Sequence, residues 1–357
     1  MPLPMPPPAP ETADGALDTS IEELATSFER AGRAAQLVER SIRIGDAPVR
    51  LRFAGKVLAE QLSRAFDHLV DDEPREPELT IHVWDSADSG TPPPPLPSLA
   101  PGSPRGTTVY TADGGRHFAS RPALGQLSAY ERGSSRAWFW CSNANELPFW
   151  EPAAPFRQIL HWWLPDRGSL LIHAAAVGQS AGGVLLVGAG GSGKSTCALS
   201  CLTSDLLYAG DDYVAVELHP EPRVLSLFCS GKLEPDHSAL LPHLPSPSFA
   251  GDGALEEKSV FYVDDRFPER MCRGFPLRAI VAPRVHGSEP QVSRRGPAQV
   301  LAALAPSTLL QLVPARQDAL SAMAGLLADI PAFGLDVGGP TDLIPPTITR
   351  LLGELAA

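Results

Sequence analysis

Eight consecutive residues carry the densest chemistry in this chain: Gly188-Ala189-Gly190-Gly191-Ser192-Gly193-Lys194-Ser195. They match G-x-x-x-x-G-K-[ST], a pattern whose glycines let successive backbone N–H groups turn toward a phosphate chain with no Cβ in the way. Lys194 has the reach for β- and γ-phosphates, and Ser195 offers a hydroxyl to Mg²⁺. With Thr196 in the helical turn that follows, Gly188 through Thr196 form the candidate cofactor-binding set. The flanks suit the pattern. Gly183-Val184-Leu185-Leu186-Val187 is a short apolar run that reads as a buried strand, and Ser195 to Leu202 can begin a helix. The start of that helix adds partial positive charge. A glycine-rich turn before an ordinary helix would leave the strand, the lysine and the serine as coincidences.

Two further stretches have chemistry of their own. Asp211-Asp212 follow the apolar segment Leu206-Leu207-Tyr208-Ala209. A carboxylate at a strand end beside a phosphate loop binds Mg²⁺ directly or through water, and a second one beside it can take a proton from an attacking hydroxyl. Gly210-Asp211-Asp212 is also good turn sequence, so a plain turn is the competing reading. His173 lies in Leu171-Ile172-His173-Ala174-Ala175-Ala176-Val177, fifteen residues before Gly188. A histidine among small apolar residues is ordinarily a core residue. Here a strand, a turn through Gly178–Gly183 and a return strand would bring it back to the loop.

The set of His173, Gly188–Ser195 and Asp211-Asp212, with Asp211 seventeen residues beyond Lys194, resembles bacterial HPr kinase/phosphorylase. That family phosphorylates a serine of a small phosphocarrier protein. The resemblance covers about Leu170 to Leu218. It implies an α/β fold, a P-loop kinase domain of the phosphoenolpyruvate-carboxykinase/HPr-kinase type, with ATP and Mg²⁺ as cofactors. It also implies catalytic roles for Asp211 (proton acceptor), Lys194 and His173 (accessory), and metal roles for Ser195 and Asp212. Beyond Leu218 the sequence departs: the family's glycine-rich segment with its metal-binding glutamate is replaced by Ser230-Gly231-Lys232-Leu233-Glu234-Pro235-Asp236. Glu234 is the candidate for that metal ligand, and Lys232 a candidate contact to phosphate or acceptor. The layout is similar to the HPr-kinase-like proteins of ribosomal-peptide pathways, including lasso-peptide kinases, which implies a peptide or small protein acceptor. The family kinase is a hexamer, which implies a homo-oligomer.

The elements that must position these residues read as follows. Residues 1–18, rich in proline and acid, read as disordered. Ser20-Ile21-Glu22-Glu23 fits a capping box ahead of Ile21, Leu24 and Phe28, so residues 1–36 form a disordered or partly helical arm. Residues 37–150 read as a small α+β accessory domain dominated by antiparallel strands. Val49, Leu51 and Phe53 alternate with Arg50 and Arg52, and Leu127–Glu131 and Arg136–Ser142 suit a hairpin. The segment from Ser86 to Gly106, with Pro92 to Pro95, reads as an extended loop without an element of its own. Residues 151–357 are the expected catalytic domain. Pro152 to Asp166 suggests a helix with Trp162 and Trp163 buried between domains. From Leu206 strand and helix signals alternate, and helical spacing returns at Gln317–Asp329 and Ile344–Leu355. Arg284 reads as a surface residue or a phosphate contact, and Arg266, Arg270 and Arg273 as a solvated face or an acceptor patch.

Composition bounds the rest. At 357 residues, 43% of them hydrophobic, the chain has the material for about two domains. A net charge of −12 speaks against a nucleic-acid partner, which selects for a basic face. No apolar run approaches the ~20 residues that span a bilayer, and the N-terminal residues lack signal-peptide character, so no membrane partner and a cytoplasmic location are expected. The five cysteines have no metal-binding spacing and read as reduced, mostly buried thiols. Two rival functions remain beside the peptide kinase: a kinase of a small-molecule hydroxyl, and a non-catalytic ATP-binding switch.

Overall fold

A computed structural model describes residues 20–96, 107–250, 258–315 and 317–356. Residues 1–19, which include the 1–18 expected to be disordered, and 97–106, expected to be part of the proline-rich loop, lie outside them.

The capping box predicted at Ser20 forms. Ser20 Oγ accepts from the Glu23 N–H at 3.2 Å, and Glu23 Oε2 accepts from the Ser20 N–H at 2.8 Å, starting helix α1 (Ile21–Ala34). Strands β1 (Leu37–Ile44) and β2 (Ala47–Ala54) follow as a hairpin, then helix α2 (Lys56–Ser63) and strand β3 (Leu79–Asp85). On β2, Val49, Leu51 and Phe53 are buried while Arg50 and Arg52 are half-buried, as the alternation requires. A single helical turn, α3 (Ser86–Ser89), is capped by Asp85, whose Oδ1 accepts from the Asp88 N–H, where the sequence suggested only loop. Strands β4 (Val109–Asp113), β5 (Arg116–Arg121), β6 (Gln126–Glu131) and β7 (Arg136–Cys141) complete a seven-stranded sheet of order β1-β2-β3-β7-β6-β5-β4. Its outer pairs are antiparallel, but β2–β3 and β3–β7 are parallel. Helix α1 covers one face, with Ile21, Leu24 and Phe28 against Trp84, Trp138 and Trp140.

The helix expected over 152–166 is broken into α4 (Trp150–Ala153) and α5 (Arg157–Trp163), because Phe156 between them takes a left-handed φ of 59°. Trp162 and Trp163 are buried in a core that runs from Leu51 and Phe53 of the first sheet and Phe66 after α2 to Tyr213, Leu225 and Phe228 beyond them. Phe66 lies 6.2 Å from Phe156 and 5.3 Å from Phe228, so the aromatic packing is continuous.

The second sheet has nine strands. They are β8 (Ser169–Ile172), β9 (Ala175–Gln179), β10 (Gly182–Leu186), β11 (Leu207–Gly210), β12 (Val214–Glu217) and β13 (Arg223–Leu225), with three later ones given below. Helix α6 (Lys194–Ser200) lies between β10 and β11. β14 (Ser230–Leu233), β15 (Phe249–Ala250) and β16 (Ser259–Tyr262) form a separate small sheet. The long β17 (Gly274–Arg284), β18 (Gln291–Arg294), helices α7 (Pro297–Leu309) and α8 (Gln317–Asp329), β19 (Ala332–Asp336) and α9 (Ile344–Ala356) end the chain. The large sheet runs β11-β9-β10-β17-β13-β12-β8, with β19 added to β17 and β18 to β19. Helices α6 and α9 cover one face, and α7 and α8 the other.

Two expectations are corrected here. Strands and helices do not alternate after Leu206. Among the described residues no α-helix lies between α6 and α7, and β12 pairs antiparallel with β8 and β13. The proline-containing turn between Glu217 and Arg223 is far too short for the helical crossover that a parallel pair demands. Second, the sequence reading has no helix at Pro297–Leu309. Pro297 sits in the first turn, where its missing N–H costs nothing, and Pro306 lies inside the helix, a residue that ordinarily argues for a break. All five cysteines are free thiols, four of them buried. No helix among the described residues is long and apolar enough to cross a membrane.

Candidate active site

The glycine loop leaves the sheet at the end of β10, every residue of which is buried. Gly188 has φ 154°, and a Cβ there would stand 2.6 Å from Ser192 Oγ; Gly193 has φ 98°, with Val337 Cγ2 only 3.0 Å from where its Cβ would be. Neither position admits a side chain without moving the loop. Gly188 is buried, whereas Ala189, Gly190 and Gly191 at the tip are exposed. Lys194, itself 7% exposed, donates from Nζ to the carbonyls of Gly188 at 2.7 Å and Ala189 at 3.2 Å, so the ammonium lies under the loop's first turn. Burial lowers its pKa, and the nearby Lys258 pushes the same way against the pull of Asp211 and Asp212. Thr196 follows, half-buried, in the first turn of α6.

β10 and β11 are both antiparallel to β9, so they run parallel to each other and their carboxyl ends share one edge of the sheet. That places Asp211, at the end of β11, beside the loop. Ser195 donates from Oγ to Asp211 Oδ1 at 3.0 Å. The Lys232 N–H donates to Asp211 Oδ2 at 3.1 Å, and its Nζ to Asp212 Oδ2 at 2.6 Å. Lys232 reaches the pair because β14 lies tight against α6: a Cβ at Gly231 would stand 2.7 Å from Leu199 Cδ2, and Tyr208 donates its hydroxyl hydrogen to the Ser230 carbonyl.

The hairpin reasoned for His173 is present as β9 and β10, with Ala175 opposite Leu186, and it returns the chain to the loop end of the sheet. His173 Nε2 meets Asp212 Oδ1 at 2.9 Å, its backbone N–H donates to Thr308 Oγ1 at 3.3 Å, and its ring lies 5.3 Å from that of Tyr213. Its Nδ1 is buried and has no hydrogen-bond partner among the described residues.

The acid pair does sit in a turn, as its composition allowed. The Tyr213 N–H donates to the Asp211 carbonyl at 2.8 Å, and Asp212 between them holds a left-handed φ of 69°. Three-residue turns of that hand are rare and strained, and such strain is characteristic of sites where geometry matters more than comfort. The two carboxyls are driven apart in acidity. For Asp211, burial and then the charge of Asp212 raise the pKa, against the hydrogen bonds from Lys232 and Ser195. For Asp212, burial also disfavours the charge, but the Lys232 ammonium and the His173 hydrogen bond outweigh it and hold the carboxyl well below the usual range.

The structure therefore joins Lys194, Ser195, Asp211, Asp212 and His173 in one cluster and adds Lys232, Thr308 and Tyr213 to it. Within the cluster the direct hydrogen-bond partner of Ser195 is Asp211. Glu234 stays out, exposed just after β14, with no side-chain hydrogen bond or ion pair among the described residues. Arg284 is ion-paired with Asp336, with Nε donating to Oδ1 at 2.9 Å. Arg266, Arg270 and Arg273 have separate partners: they lie over Phe267, beside Asp205, and on the Val70 carbonyl respectively. Thr308 was beyond sequence reasoning, since it reaches the site from α7, a segment with no recognisable spacing to the loop.

No known protein family matches the sequence, and no curated protein does. Among solved structures, the HPr(Ser) kinase/phosphatase from Coxiella burnetii is similar over 52% of this chain and 99% of that one, at 12% identity and a TM-score of 0.30. A likeness of that size adds nothing to the geometry above.

Proposed function

We propose that this chain is an ATP- and Mg²⁺-dependent phosphotransferase acting on a Ser or Thr hydroxyl of a peptide or small protein. One observation carries the reading: a complete glycine loop is joined through Ser195 Oγ to the first of two adjacent carboxylates whose proton affinities are pushed in opposite directions. Paired carboxyls of unequal acidity are the arrangement that lets one take a proton while the other keeps its charge.

In this reading the loop N–H groups and Lys194 hold the phosphate chain. Ser195 Oγ and the two carboxylates are hard oxygen donors that suit Mg²⁺, which when bound would neutralise phosphate charge. Asp212, fully ionised, supplies the metal-side charge. Asp211 takes the proton of the acceptor hydroxyl as the acceptor oxygen bonds to the γ-phosphorus and the bond from that phosphorus to the β–γ bridging oxygen breaks, leaving ADP. His173 and Lys232 hold Asp212 in its strained turn. The resemblance of His173, the loop and the acid pair to HPr kinase/phosphorylase supports this assignment, and the peptide acceptor rests on the similarity of the layout to HPr-kinase-like proteins of ribosomal-peptide pathways.

The test is intact-mass spectrometry of peptides and small proteins encoded beside this gene, after incubation with the enzyme and Mg-ATP. A phosphate-sized gain on a Ser or Thr that vanishes with Lys194→Ala is expected. Gain on a metabolite hydroxyl instead would move the acceptor to a small molecule, and nucleotide binding with transfer to nothing would make the protein a switch. Asp211→Asn and Asp212→Asn separate the two carboxylates: the first should keep Mg²⁺-dependent ATP binding and lose transfer, the second should lose the Mg²⁺ dependence. The reverse pattern would put the metal on Asp211, the nearer partner of Ser195.

A further inference from the structure

On the other flank of the glycine loop lies a cleft of about 360 Å³ that the site above does not use. Gly188, Ala189 and Ser192 of the loop form one wall. Ala282 and Pro283 at the end of β17 and Val300 and Ala303 on α7 make it apolar, and Arg295 and Gln299 supply its free polar groups.

We infer that this cleft takes the nucleoside half of the nucleotide, with the base against the apolar wall and read by Gln299 and Arg295. The inference rests on the phosphotransfer reading and adds to it where the rest of the molecule binds.

Three observations carry it. The first is topological. β17 and β19 run parallel to β10, so their carboxyl ends meet the same sheet edge as the loop, on the side of β10 away from β9 and β11. Ligands of open α/β sheets bind at that edge. A phosphate chain whose last phosphate faces Ser195 and Asp211 must direct its other end toward β17 and β19. The second is chemical. Neither Arg295 nor Gln299 has a side-chain hydrogen bond or ion pair among the described residues, whereas the neighbouring Arg284 and Asp336 neutralise each other. An apolar cleft of a few hundred Å³ with a small number of uncommitted polar groups is the usual form of a small-molecule site. Gln299 can both donate and accept, which suits the edge of a base. The third is steric. Arg295 lies across Gly334, where a Cβ would stand 2.7 Å from its Nε, so the glycine leaves the guanidinium room at the cleft. Ser192 Oγ, on the shared wall, is buried with no hydrogen-bond partner among the described residues.

The test compares calorimetric binding of Mg-ATP with that of Mg-tripolyphosphate, which has the phosphates and no nucleoside. In the wild type ATP should bind more tightly. Arg295→Ala and Gln299→Ala should each weaken ATP by about tenfold, the worth of one good hydrogen bond, and leave tripolyphosphate unchanged. Ala303→Phe, which fills the cleft, should exclude ATP and spare tripolyphosphate; a retained tripolyphosphate affinity also shows that each variant is folded. Lys194→Ala should weaken both ligands. Equal affinities for the two ligands in the wild type, or cleft variants that keep both affinities at the wild-type level, would overturn the nucleoside site while leaving the phosphate site intact. Failure of the wild type to bind either ligand would overturn the phosphotransfer reading and this inference with it.

Discussion

The chemistry of the site turns on one carboxyl. Asp211 is 1% exposed and stands next to a second, ionised carboxylate, so burial first and Asp212's charge second favour its protonated form. A base must be unprotonated to work. Transfer should therefore fall as pH drops through a value above the ordinary aspartate pKa of about 3.9, and the acid limb should vanish in Asp211→Asn along with activity reduced roughly 10²- to 10⁴-fold. Steady-state rates from pH 4 to 8 check this; an acid limb that survives in the variant would assign it elsewhere. At this scale the sequence was most informative where partners are close along the chain. The loop is a local pattern, and the acid pair follows it by one helix and one strand. Lys232 was only a weak candidate, because its reach to Asp212 depends on β14 lying against α6, a contact that no spacing encodes. The pairing of Ser195 with Asp211 rather than Asp212 likewise depends on the hand of the turn at Asp212, which composition leaves open.

Elements position the site through parallel strands that end together. The turn from β10 into α6 is held by Gly193, whose φ is 98° and where an added Cβ would stand 3.0 Å from Val337 Cγ2, so the loop packs against the segment after β19. Gly193→Ala should lower stability by about 1–3 kcal/mol, the cost of a strained backbone position, and weaken phosphate binding beyond that loss. Urea unfolding read beside ATP titration separates the two effects; a variant of unchanged stability and affinity would show that the loop is softer than its geometry implies. The strands were legible wherever apolar alternation was strong, and the helices Gln317–Asp329 and Ile344–Ala356 wherever a helical stripe was. Their order was not. A run of strands with short turns leaves antiparallel pairing to be settled by connection length, and α7 was hidden by Pro306.

The whole molecule is bound by a core that spans both sheets and by charges that cross between them. Arg64, after α2, donates to both Asp264 oxygens at 2.8 and 2.9 Å and lies 4.4 Å from the Tyr262 ring. His68 Nε2 meets Ser226 Oγ at 2.7 Å across the same junction, and His82 lies in the first sheet between Phe28 and Trp138. Burial lowers both histidines to about 4. Unfolded, they titrate near 6.5, so between pH 6.5 and 4 the unfolded chain takes up protons that the fold refuses, and stability is lost as pH falls. Each histidine should remove up to about 1.4 kcal/mol per pH unit in that window. Urea midpoints at pH 7, 6 and 5 should decline, and His82→Phe, which keeps an aromatic ring in place, should flatten the decline. Midpoints independent of pH would mean that the histidines are open to protons in the folded state.

The central claim is that the glycine loop and the acid pair are one phosphotransfer site, and calorimetric titration of Mg-ATP into the wild type, Lys194→Ala and Asp211→Asn tests it most directly. The account predicts binding by the wild type, a loss of at least about tenfold in Lys194→Ala for the missing charged contact, and near-normal binding in Asp211→Asn. Binding that is absent from the wild type, or indifferent to Lys194, would contradict it.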